Sequence, residues 1–131
     1  MLPPHEYEKA RRNARFHLQV VIEEVPSHVK TPCEQLLITG KVVRIFRGRH
    51  NLRQGDFVKF NIAVQGEPYV AMCSGIFWLN YSNLLQAKYM EVYLNGNPPN
   101  CSVALWQYAL LDISTDQPTM SSESRSWWKF W

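Results

Sequence analysis

Residues 40 to 60 read Gly-Lys-Val-Val-Arg-Ile-Phe-Arg-Gly-Arg-His-Asn-Leu-Arg-Gln-Gly-Asp-Phe-Val-Lys-Phe, two apolar strands around a glycine-bounded, charged loop. Val43 and Ile45 alternate with Arg44 and Phe46. Beyond the loop, Val58, Phe60, Ile62 and Val64 alternate with Lys59, Asn61 and Ala63, the period of strands buried on one face. Gly48 and Gly55 suit the positive φ that such a connection needs, Asp56 can bond its own backbone, and Leu52 is expected to tuck beneath the loop. Gly40, isolated within the strand-like run from Leu36, predicts a bulge or sharp bend. A bent strand suits a small curled sheet.

Working outward, Phe16, Leu18, Val20 and Ile22 alternate with His17, Gln19, Val21 and Glu23, a strand ended by Pro26. Residues 26 to 34 read as a loop and Gly66-Glu67-Pro68 as a turn. Tyr69 to Leu79 is rich in strand formers, with Gly75 as a bend. Asn80 can cap a short helix with Leu84 and Leu85 facing inward, and Lys88 to Leu94 returns to strand. Asn95 to Asn100, with Asn-Gly and Pro-Pro, predicts a hairpin loop. Residues 101 to 113 fit strand or helix by periodicity, and the preceding hairpin favours strand.

The domain reading is therefore an N-terminal arm or short helix (1–14), a β-barrel domain (15–113), and a polar linker with an aromatic tail (114–131). At 131 residues there is room for one core. Charge is local: residues 1 to 65 hold 11 Lys and Arg against 6 Asp and Glu, net +5, while residues 66 to 131 hold 3 against 5, net −2. Cys33, Cys73 and Cys101 have neither an even count nor Cys-x-x-Cys spacing, which argues against a disulfide framework and a zinc site and leaves reduced thiols as the expectation. The N-terminus lacks the basic-then-apolar pattern of a secretory leader, and no apolar run reaches the roughly 20 residues of a membrane span. A cytoplasmic setting is the resulting expectation.

Three strands, a short helix and a two-strand hairpin, in that order, resemble the OB-fold, a five-stranded Greek-key barrel with a helix between its third and fourth strands; here an extra N-terminal strand precedes it. Gly40, the basic loop and Leu-x-x-Gly-Asp-x-Val-x-Phe from Leu52 to Phe60 are similar, in addition, to the netrin-like branch that includes tissue inhibitors of proteases. That branch implies a secreted, disulfide-rich domain, whose inhibitors use a cysteine at the mature N-terminus. The first cysteine here is Cys33, so protease inhibition does not transfer.

Two features point to partners. Lys41, Arg44, Arg47, Arg49, Arg53 and Lys59 against Asp56 give net +5 over 19 residues. With Phe46 and Phe57 as stacking platforms, this basic loop and sheet face form the expected ligand-binding region, and single-stranded nucleic acid is the ligand whose backbone suits it. The competing reading is a solvated hairpin whose charges discourage edge-to-edge association. Trp127, Trp128, Phe130 and Trp131 form the second feature, an alternative site for an unknown protein partner or self-association. The tail is too short to hold to a membrane surface by itself.

Catalytic patterns are weak. His5, His17, His28 and His50 have no metal-ligand spacing, and Met72-Cys73-Ser74-Gly75 lacks the first glycine of a nucleophile elbow, so Cys73 reads as a small buried hydrophobe. Glu23 and Glu24 are adjacent and point to opposite faces of a strand. The sequence thus predicts a binding module that is not an enzyme and uses no cofactor or metal.

Overall fold

Gly40 lets β-strand backbone pass close to Val20: a Cβ there would lie 2.7 Å from Val20 Cγ2. The computed structural model describes residues 3–31, 33–66 and 78–120. In it, helix α1 (Pro4–Asn13) leads into β1 (Phe16–Glu24), β2 (Cys33–Arg47) and β3 (Phe57–Gln65). A short β4 (Leu79–Asn80), helix α2 (Tyr81–Gln86) and the hairpin β5 (Tyr89–Asn97) and β6 (Asn100–Leu111) follow.

The protein is mainly β, with one mixed sheet in the order β2-β1-β5-β6-β3-β4. β2 is the strand that curls it. Its first half, Cys33 to Lys41, pairs with β3, and its second half, Thr39 to Arg47, pairs with β1. The crossover falls at Gly40, with a register irregularity between Ile22 and Glu24 opposite it. The expected bend is therefore real, and its cause is steric: only a residue without a side chain allows β1 to pass over the turn of β2. The β2–β3 pairing closes a ring of hydrogen-bonded strands. Closure is uneven, since β3 meets β6 at one parallel pair, Lys59 and Asn100.

The ring encloses the core. Phe16, Leu18 and Val20 of β1, Leu36, Ile38 and Val42 of β2, and Val58, Phe60, Ile62 and Val64 of β3 are all buried in one cluster with Met90, Val92 and Leu94 of β5. Leu52 joins them at 4% exposure, as the loop reading required. Gly48 has φ 102°, and a Cβ on it would lie 2.2 Å from Phe16 Cδ1, so this turn position needs glycine for both conformation and space. Asn80 caps α2 by accepting a hydrogen bond from Ser82 N at 2.9 Å.

Several expectations are corrected. The N-terminal strand is not an extra element: β1 lies between β2 and β5 and completes the ring. In consequence the basic loop, 48–56, follows the second strand of the ring, not the first. The strand expected over Tyr69 to Leu79 falls almost wholly outside the described residues; its end, Leu79, begins β4, parallel to β3. Residues 100–111 are strand, which resolves the choice left open by periodicity. In α2 only Leu84 faces the core, while Leu85 is 55% exposed, because adjacent helical residues cannot both face one wall. Cys33 is disulfide-bonded and Cys101 keeps a free thiol, so reduced thiols hold for only one of this pair. Spacing alone does not reveal which residues a fold brings together. Among the described residues no helix is long and apolar enough to cross a membrane.

Candidate functional site

Cross-strand register sorts the predicted ligand residues into separate places. On β2 and β3, Gln35 stands opposite Ala63, Leu37 opposite Asn61, Thr39 opposite Lys59 and Lys41 opposite Phe57. Opposed residues share a face, and alternation puts this set on the outer face because Leu36, Ile38, Val58, Phe60 and Ile62 fill the core. Leu37 and Phe57 are each 50% exposed there. Lys41, Phe57 and Lys59 therefore lie together, as expected of one surface.

Beside this face β6 diverges from β3 beyond the Lys59–Asn100 contact. A cleft of about 300 Å³ opens between them, lined by Gln35, Asn61, Ala63, Ser102, Leu105 and Trp106, among others. Its far wall is a bulge in β6: Val92 pairs with Tyr108 but Leu94 with Val103, leaving Ala104 to Gln107 as extra chain. Leu105 and Trp106 adopt φ of 41° and 57°, a conformation that costs bulky residues about 1 kcal/mol or more each. The Gln107 side chain supports the bulge by donating to the Leu105 carbonyl at 2.9 Å and accepting from Arg11 Nη1 at 2.5 Å. Burial pushes the Tyr108 phenol up to about 12 and raises the Cys101 thiol despite the opposing charge of Arg15. Both stay protonated near neutral pH, and the thiol is a poor nucleophile.

The arginines belong elsewhere. Arg47 is absorbed by the scaffold: its Nη1 donates to the carbonyls of Arg11, Arg12 and Ala14 at 2.7, 3.1 and 2.8 Å, closing the C-terminus of α1. Arg44 pairs with Asp116 at 2.5 Å. Arg49 donates from Nε to the Ile45 carbonyl at 3.2 Å and, with Arg44, lines a second cleft of about 290 Å³. Arg53 sits at the loop tip, where its backbone N–H is held by Asp56 at 2.9 Å. Phe46 does not serve with Phe57 on the outer β2–β3 face; it packs against His17, ring centroids 4.9 Å apart. Trp127, Trp128, Phe130, Trp131 and Cys73 lie outside the described residues.

A polar layer that alternation did not announce lies on the outer side of the sheet over β1 and β5. His17 and Gln19 of β1 and Glu91 and Tyr93 of β5 are buried, although they alternate with core residues. The segment after β6 crosses above them. Glu91 accepts from Thr119 N at 2.7 Å, Thr119 Oγ1 at 2.8 Å, Met120 N at 2.9 Å and pairs with His17 Nε2 at 2.7 Å. Tyr93 stacks on His17 at 3.9 Å and donates its hydroxyl to the Met120 carbonyl at 2.6 Å. Gln19 accepts from Ser114 Oγ and Thr115 N, both at 3.1 Å. Burial alone raises a carboxyl, yet the His17 bond and the backbone donors outweigh it and hold Glu91 below the ordinary 4.5. Burial and the neighbouring Glu91 charge push Tyr93 up to about 12.

This layer has the residue types of acid–base chemistry, but every oxygen of Glu91 is spent on anchoring residues 119–120. No group of three or more His, Cys, Asp or Glu side chains converges as metal ligands among the described residues. The chain matches no family model, no curated protein and no solved structure.

Proposed function

We propose that the chain is an OB-type barrel that binds single-stranded nucleic acid across the outer face of β2 and β3, without catalysing a reaction. The ring order, the parallel contact of β3 with β6 and the placing of α2 before β5 are the features that support this fold reading. In barrels of that type the face of the second and third strands carries the ligand. The observation that carries the functional reading is Phe57: a phenyl ring 50% exposed, directly opposite Lys41 and two residues from Lys59 on the same face.

An exposed aromatic ring offers a base its π-face, and flanking lysines neutralise phosphates on either side. Leu37 adds a second exposed apolar side chain on the same face, beyond the Thr39–Lys59 pair, while Asn61 and Gln35 supply amides at the edge of the β3–β6 cleft. Titration of the whole chain with a fluorescent oligothymidylate tests this reading. Affinity should fall steeply between about 50 and 200 mM salt. Phe57→Ala should weaken binding roughly tenfold with little effect on the salt slope. Lys41→Gln with Lys59→Gln should weaken it and flatten the slope by about two phosphate contacts. Binding absent at low salt, or indifferent to Phe57→Ala, would overturn the reading.

A further inference from the structure

Gln19 of β1 and Arg44 of β2 are directly paired across the sheet, and they hold consecutive residues of the segment that follows β6. Gln19 bonds Thr115, and Arg44 pairs with Asp116 at 2.5 Å. The two attachments differ in kind. Gln19 is fully buried, as is Glu91, which fixes Thr119 and Met120 farther along. Asp116 is 82% exposed and Arg44 41% exposed. An ion pair that open to water contributes little to holding a chain in place. The strap is secured on both sides of Asp116 by buried hydrogen bonds, and the Asp116 carboxylate is delivered to Arg44 as a result.

The place it is delivered to is a cleft of about 290 Å³ lined by Arg44 and Arg49 together with Val43, Ile45, Phe46 and Gln54. Arg49 spends its Nε on the Ile45 carbonyl, which fixes the plane of its guanidinium at the cleft. Two guanidinium groups at one cleft favour a compact oxyanion, because each Arg presents forked donors that match its geometry. A single exposed carboxylate satisfies such a site incompletely.

We infer that the Arg44–Arg49 cleft is a binding site for a compact polyvalent oxyanion, and that Asp116 occupies it in cis as a displaceable competitor. The site is separate from the β2–β3 face and does not rest on the nucleic-acid reading. An incoming anion takes over the Arg44 guanidinium, and Asp116 turns into solvent. The strap stays docked, since Gln19 and Glu91 hold it.

Isothermal titration of the full chain with inorganic pyrophosphate at low salt, and in parallel with citrate, provides the test. Asp116→Asn should bind at least one of these anions about three- to fivefold more tightly than the unaltered chain, the scale of a lost exposed ion pair. Arg44→Gln in the Asp116→Asn background should abolish the gain, whereas Arg53→Gln should leave it unchanged. Amide exchange at Thr119 and Met120 should be the same in Asp116→Asn as in the unaltered chain. Equal affinity with and without Asp116, no binding of either anion by Asp116→Asn, or faster exchange at Thr119 and Met120 would each overturn the inference. The last outcome would make Asp116 an anchor of the strap. Phe57→Ala leaves this titration unchanged, so failure here and failure of nucleic-acid binding are read separately.

Discussion

The two outer faces of this sheet have opposite fates. Over β1 and β5 the outward residues His17, Gln19, Glu91 and Tyr93 are buried beneath the segment that follows β6. Over β2 and β3 the outward residues Leu37, Lys41, Phe57 and Lys59 are exposed. The covered face is polar, while the open face leaves Leu37 and Phe57 half exposed among its lysines and amides. Simple burial of apolar surface would have arranged them the other way. The covered face gains fixed geometry, because each of these polar side chains has a defined hydrogen-bond partner. The open face leaves one phenyl ring half exposed between two lysines.

Removing Glu91 breaks this contrast most severely. Its two oxygens satisfy His17, both donors of Thr119 and the Met120 N–H, and it is fully buried. Glu91→Ala strands these groups, at about 1–3 kcal/mol for each one that cannot reach water. The expected outcome is a loss of roughly 3 kcal/mol in urea unfolding, with rapid amide exchange over residues 114–120. Glu91→Gln retains one acceptor oxygen and turns a donor toward Met120 N–H or His17, so its loss should be smaller but distinct. An undiminished stability in both variants would mean that the strap docks independently of Glu91.

Acid sharpens the same comparison without a mutation. A carboxyl whose folded pKa is lowered contributes stability that is complete above its unfolded value, here 4.5, and disappears as pH falls through the lower folded value. The denaturation midpoint should therefore hold steady down to about pH 5 and drop below 4.5, with strap exchange rising over the same interval. Glu91→Gln should show a shallower acid decline. Tyr93 gives the mirror image at the alkaline end: with its phenol raised to about 12, its contribution is complete below about 10, where the unfolded chain ionises, and is lost as pH rises through 12.

Much of this scaffold was legible because its devices are local. Gly40, Gly48, Leu52 and the alternation of β3 each carry their reason within a few residues, and the structure bears out each of them. Strand order was not local: the alternation of β1 shows that it has a buried face and says nothing of which strands flank it. The basic residues divide along the same line. Lys41, Phe57 and Lys59 could be grouped because register across a short loop groups them. Arg47 could not, because its partners are carbonyls at the end of a helix 33 to 36 residues earlier. Glu91 looked like one polar residue in a strand, and its worth depends on Thr119 and Met120, 28 and 29 residues away. Trp106 entered the β3–β6 cleft through a bulge of two left-handed, non-glycine residues, for which no residue type in that segment gives a signal.

The smallest expected effect is the most telling about the open face. Leu37 is 50% exposed and stands opposite Asn61, so Leu37→Ser removes little buried area from the folded chain. Its effect on stability should lie within about 0.5 kcal/mol, as for surface substitutions generally. A scaffold role would require more, because a side chain that packs a sheet edge costs about 1 kcal/mol or more when truncated. A recognition role instead allows stability to stand while oligonucleotide affinity falls. Urea unfolding of Leu37→Ser beside the same oligothymidylate titration separates the two. Unchanged stability with weakened binding fits a face kept apolar for a ligand. Lost stability with unchanged binding would assign Leu37 to the barrel and leave Phe57, Lys41 and Lys59 to account for binding alone.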